Sequence, residues 1–170
     1  MYEKIVVPLD GSKLAECVLP YIEELAKGCD TKEVILVIVT ERIVGNLPLT
    51  RHTQPIMPLP IPTPAPAPEA VTKVPVAVGK KQRQAQRYLS RIAKRLEGKG
   101  IKARCEVLLG NPAEEITIFT EQSGADLITM ASHGCSGPSR WAYGSVADKV
   151  FRSSCTPILM VRAPGCIPGI

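Results

Sequence analysis

The sequence predicts an α/β protein, a single doubly wound parallel sheet of five strands with helices on both faces. Three observations predict it. Short β-branched apolar runs alternate along the chain with stretches whose apolar residues recur at helical spacing, the pattern of βα units. The strand runs are apolar at consecutive positions, as strands buried on both faces must be. The 170 residues suit one domain, which at this length buries roughly 70% of the surface its unfolded chain exposes.

The elements follow in order. Lys4 to Leu9 is the first strand. A helix follows, with Leu14, Val18, Tyr21, Ile22 and Leu25 on one face and Asp10 or Ser12 available as its cap. Pro20 falls inside this helix, which predicts a bend and leaves the Glu16 carbonyl without its helical partner. Glu33 to Val39 is the second strand. The chain then changes character, because nine of the 16 prolines lie between Pro48 and Pro75, many at every second position. Such a run lacks backbone donors and predicts an extended or disordered insertion at about residues 44–79 of an otherwise single domain, 1–170.

From Lys80 to Gly98 a helix resumes on the stripe Ala85, Leu89, Ile92, Ala93 and Leu96. Its other faces carry Lys80, Lys81, Arg83, Arg87, Arg91, Lys94 and Arg95, which a solvated amphipathic helix explains without a partner. Ile101 to Leu109 is the third strand. Pro112 suits the first position of the next helix, Glu114 and Glu115 suit its positive end, and Gly124 stops it. Ala125 to Ala131 is the fourth strand, Ser145 to Ser153 the last helix and Pro157 to Val161 the fifth strand.

Composition removes several classes. No apolar run approaches the roughly 18 residues of a membrane helix, and the N-terminus opens on a strand without a signal-peptide core, so a cytoplasmic location is expected. Six cysteines without a Cys-x-x-Cys pair are expected as isolated small hydrophobes in a reducing cytoplasm, and no metal is expected. Aromatic residues are 4% of the chain, too few to stack single-stranded nucleic acid, and a net charge of +5 is compatible with an anionic ligand without implying DNA.

The stretch that carries chemistry runs from Met130-Ala131-Ser132-His133-Gly134 to Gly144-Ser145-Val146-Ala147. A strand ends, a glycine follows, and a second glycine opens a helix. Glycine lets backbone amides approach a bulky anion, and a helix start adds free amides and the positive end of its dipole. With the Ser145 hydroxyl alongside, this arrangement can cradle a polyphosphate. A G-x-x-x-x-G-K-[ST] motif and a G-x-G-x-x-G after the first strand are both missing, which excludes a P-loop ATPase and a dinucleotide oxidoreductase of those patterns.

This stretch resembles the nucleotide signature of the universal stress protein family: glycine, two residues, glycine, nine residues, then glycine with serine or threonine. Gly134, the nine residues after it and Gly144-Ser145 match in spacing, while Ala131 stands in place of the first glycine. Val6 to Ser12, Gly124 to Ile128 and Thr156 to Val161 are similar to the family's first, fourth and last strands. The resemblance implies the strand order 3-2-1-4-5 and an ATP site. Pro8, Leu9 and Asp10 would line its adenine and ribose end with Val39 beside the base. Met130 and Ala131 would flank the ribose, and Gly134, Gly144, Ser145 and Val146 would hold the phosphates. It also implies a homodimer paired through the edge strand 157–161.

The resulting expectation is a regulatory adenine-nucleotide-binding protein, a dimeric switch without catalytic residues. One alternative is slow ATP hydrolysis in the same pocket, with Mg²⁺ on the phosphates. The other is a nucleic-acid-binding module using the basic helix 80–95.

Overall fold

The computed structural model describes residues 2–40, 76–132 and 144–162. The proline-rich run to Pro75, His133, Gly134, Cys135 and Cys166 lie outside them. Five strands form one parallel sheet: β1 (Lys4–Pro8), β2 (Glu33–Thr40), β3 (Ala103–Leu109), β4 (Leu127–Ala131) and β5 (Ile158–Val161). Their order is β3-β2-β1-β4-β5.

Strand alternation sends side chains to two separate cores. On one face Ile5, Val7, Val34, Leu36 and Ile38 pack under α1 (Leu19–Gly28) and α2 (Val76–Glu97). On the other, Val6, Ile35, Val37, Ile128 and Met130 pack under α3 (Pro112–Ser123) and α4 (Ser145–Ser153). All five residues of the predicted α2 stripe, Ala85, Leu89, Ile92, Ala93 and Leu96, are buried. Asp126 ties the lower ends of β1 and β4 together, its Oδ2 accepting from the amides of Glu3 and Lys4 at 2.9 Å each.

Three expectations are corrected. Pro20 does not bend a helix. Residues Ala15–Val18 form a 3₁₀ turn and α1 begins after it, so Pro20 falls in the first helical turn, where a missing amide costs nothing. The Glu16 carbonyl is consequently satisfied, accepting the Leu19 N–H three residues on. The tighter turn also shifts the phase of the helix: Leu19, Ile22 and Ala26 face the core and Tyr21 is 54% exposed. Lastly, α2 includes Val76 to Gly79, residues inside the span assigned to the insertion.

Pro112 opens α3 and Gly124 stops it, as the sequence predicts. Asn111 is its cap, with Oδ1 accepting from the Ala113 amide at 3.2 Å, Pro112 stands in the first turn, and Gly124 ends the helix in a left-handed conformation with φ 60°.

Candidate functional site

Strand β1 is the switch point of the sheet. The chain winds outward to β2 and β3 on one side and to β4 and β5 on the other. The two sides are unequally joined. β1 pairs with β2 along its whole length, from Lys4↔Glu33 to Pro8↔Val37. With β4 it pairs only at Ile5↔Leu127 and Val6↔Ile128, whereas β4 follows β5 up to Ala131↔Val161. Beyond Val6 and Ile128 the two strands therefore part company. Pro8, with no N–H to donate, stands at this opening.

The opening is a crevice of about 380 Å³ at the carboxyl ends of the strands. Its walls hold Pro8, Leu9 and Asp10 from the end of β1, Val37, Ile38 and Val39 from β2, and Met130, Ala131 and Ser132 from the end of β4. Gly144, Ser145, Val146 and Ala147 from the start of α4 complete them, together with Ala15, Pro112 and Ile116. Nine of the ten residues predicted for a nucleotide site, Pro8, Leu9, Asp10, Val39, Met130, Ala131, Gly144, Ser145 and Val146, thus meet in one cavity. The tenth, Gly134, lies outside the described residues.

Each wall has a local cause. Leu9 is held by its amide, which donates to the Val37 carbonyl at 2.8 Å, extending β1 past Pro8 along β2 and away from β4. The next residues form a knot. Asp10 Oδ1 accepts from the Ser12 amide at 2.9 Å and the Ser12 hydroxyl at 2.6 Å, and Ser12 Oγ accepts from the Ala15 amide at 3.1 Å. Ser12 thus ties down the first amide of the 3₁₀ turn and Asp10 holds Ser12, with Gly11 between them at φ 84°, a conformation glycine adopts without strain. The carboxylate of Asp10 stays exposed at the crevice rim.

The opposite wall is joined by a backbone bond between two described residues. The Gly144 amide donates to the Ser132 carbonyl at 2.8 Å, bringing the start of α4 back to the end of β4. Gly144 is the N-cap of α4 and has no side chain to accept the first helical amides, in contrast to Asn111 on α3. Those amides and the positive end of the α4 dipole line the crevice beside the Ser145 hydroxyl. Ala131 sits in extended strand: among the described residues Asp30 alone combines a side chain with a positive φ, so the methyl of Ala131 introduces no backbone strain.

Sequence reasoning missed Ala15, Val37, Ile38, Pro112 and Ile116 as wall residues, and named Ser132 and Ala147 only within the glycine-rich stretch. A signal for Pro112 was present. In a parallel sheet every helix that follows a strand starts at the carboxyl edge, the edge where such folds bind ligands.

Chemically, the crevice joins a mostly aliphatic slot to a helix N-terminus bearing free amides. Among the described residues that line it, Asp10 carries the one charged side chain. Such a site suits a flat apolar group joined to an anion.

Sheet order and switch-point crevice define the class: an open, doubly wound α/β fold. Residues 53–162 match the model of the Universal stress protein family, and the chain belongs to that family. Universal stress protein MJ0531 of Methanocaldococcus jannaschii is 29% identical over 164 residues, covering 96% of this chain and 84% of that protein. The solved structure of MJ0577 from the same organism superposes with a TM-score of 0.72 at 27% identity, covering 97% of this chain and 99% of that one. Two more distant structures share the fold. One is a universal stress protein in complex with cAMP (TM-score 0.62, 17% identity, 95% and 98% coverage). The other is an Arabidopsis thaliana family protein with AMP bound (TM-score 0.59, 11% identity, 95% and 92% coverage).

Proposed function

We propose that this chain binds ATP in the switch-point crevice and acts as a nucleotide-dependent dimeric switch. The carrying observation is the junction of an aliphatic slot with the uncapped start of α4. The adenine lies against Val39, Pro8 and Leu9, and the ribose lies between Asp10 and the Met130-Ala131 end of β4. The phosphates take the amides of Gly144, Ser145 and Val146, with Gly134 completing the cradle and Mg²⁺ riding on the phosphates. That solved family members hold cAMP and AMP supports an adenine nucleotide as the ligand class. Hydrogen bonds to a charged group contribute about 1.5–3 kcal/mol each, so three or four hold a nucleotide against the cost of association.

Residues 1–170 make up one domain, and the protein works in the cytoplasm. The switch partner is a second copy, paired through the outer edge of β5, whose Ile158, Leu159 and Met160 are only half-buried.

Two measurements test this. Calorimetry with ATP, ADP, AMP and cAMP is expected to give saturable binding, tightest for ATP, alongside mass spectrometry of nucleotide carried through purification. No bound nucleotide and no affinity up to millimolar concentration would overturn the proposal. Sedimentation with and without ATP tests the dimer, and a monomer under both conditions removes the switch while leaving the site.

A further inference from the structure

Helix α2 carries a second surface, on the face of the molecule turned away from the sheet. It holds seven basic residues and meets its first acidic one at Glu97. Burial of Ala85, Leu89, Ile92, Ala93 and Leu96 against the sheet fixes which way the rest points. Lys80, Lys81, Arg83, Arg87, Arg91, Lys94 and Arg95 are all exposed. Within that face Arg83, Gln86, Arg87, Ser90, Arg91 and Lys94 line a shallow groove of about 540 Å³.

The charges there are largely unneutralised. Arg91 Nη2 reaches Glu16 at 3.2 Å and stacks over the Tyr88 ring at 5.3 Å, and Arg95 reaches Glu23 at 3.3 Å. Arg87 and Lys94, by contrast, form no ion pair among the described residues. Along the groove the cations recur at Arg83, Arg87, Arg91 and Lys94, a straight row spanning about 16 Å of helix axis. A row of evenly spaced cations is complementary to a polymer with an anion at every repeat. Arginine forks and the neutral donors Gln86 and Ser90 suit phosphate oxygens.

We propose that this groove docks the phosphate backbone of duplex nucleic acid. Other polyanions fit less well. A lipid surface needs apolar side chains beside the cations, and among the described residues the large exposed hydrophobic ones, Tyr21, Ile118 and Phe151, all lie on other elements. A single strand needs stacking platforms, and the one aromatic residue of α2, Tyr88, is half-buried beneath Arg91. Because α2 is packed flat on the sheet, it grips backbone and reads no base edges. The contact is therefore independent of sequence.

The test is fluorescence anisotropy of a labelled, mixed-sequence DNA duplex titrated with the full chain across a salt series. Binding is expected at low salt, with log K falling against log[salt] at a slope of about −4 for four phosphates. The double variant R87Q/K94Q, exposed and outside the nucleotide crevice, is expected to bind at least tenfold more weakly and to flatten the slope by about two. Its thermal midpoint and nucleotide affinity, measured in parallel, are expected to match the parent, which separates this surface from the crevice. Absence of an anisotropy change at the lowest salt overturns the proposal, as does a double variant that binds like the parent. Displacement of the duplex by polyglutamate or anionic vesicles at equal charge also overturns it, since the partner then has another chemistry.

Discussion

Thr129 offers a test in which the same chemical change has opposite signs at two sites. It lies on β4 between Leu127 and Ala131, is 0% exposed, and its hydroxyl has no hydrogen-bond partner. Folding therefore strips water from this hydroxyl and returns nothing, a cost of about 1–3 kcal/mol. Thr129→Val exchanges the hydroxyl for a methyl of the same size and keeps the β-branching that suits a strand. The expected gain is about 1–2 kcal/mol, or roughly 2–8 °C in Tm at this chain length. Thr120 is the control. It is also 0% exposed, but its Oγ1 donates to the Ile116 carbonyl at 2.7 Å, so Thr120→Val is expected to lose about 1 kcal/mol. Thermal and urea unfolding followed by circular dichroism measure both. If Thr129→Val leaves stability unchanged or lowers it, the hydroxyl is satisfied in solution and the reasoning fails.

Three further outcomes are expected. Ser145→Ala removes the one side-chain donor at the start of α4 while Gly144 remains the cap. ATP affinity should fall tenfold or more by calorimetry, about the 1.5–3 kcal/mol of a charge-assisted hydrogen bond, and an unchanged affinity would place the phosphates elsewhere. The hydrogen bond from Lys99, with the charges of Lys99 and Arg95, holds the Glu23 carboxyl below its ordinary value of 4.5 despite burial. The folded state favours the ionised form, so this stabilisation is complete above pH 4.5 and is lost as pH falls from there through the lowered folded value. Glu23→Gln should flatten the acid limb of a stability–pH curve. Burial, aided by Glu97 and Glu106, pushes the Cys105 thiol above its ordinary 9.0, whereas Cys155 is exposed. Iodoacetamide mapped by mass spectrometry at neutral pH should label Cys155 well before Cys105.

Most of the sheet was legible because parallel strands buried on both faces leave unbroken apolar runs, of which Val34 to Val39, short and β-branched, is the clearest. Helices α2 and α4 were legible for a related reason: one stripe of apolar residues faces one sheet. The first helical segment was not. Periodicity counting assumes 3.6 residues per turn, and the 3₁₀ turn at Ala15–Val18 changes the phase before Tyr21 is reached. Strand order came from the family resemblance alone, since the apolar runs say nothing about their neighbours. At the crevice, residues carried by the glycine-rich connection could be named from sequence, because glycines and a helix start announce themselves locally. Pro112 could be placed there only by the rule that helices start at the carboxyl edge of a parallel sheet, and Ile116 not at all. They arrive from the β3–α3 junction, distant in sequence, and only the assembled edge brings them to Val39.

The short β1–β4 register has a mechanical meaning. With two residue pairs at that join against five between β1 and β2, it is the sheet's weakest hinge line. The halves on either side carry the opposing walls of the crevice. An occupant touching both acts as a cross-brace and adds RT ln(1 + [L]/Kd), about 2.7 kcal/mol at a hundredfold excess over Kd, to the cost of prying them apart. Amide exchange along β1 and β4 should slow most on loading, so the hinge line itself reports occupancy.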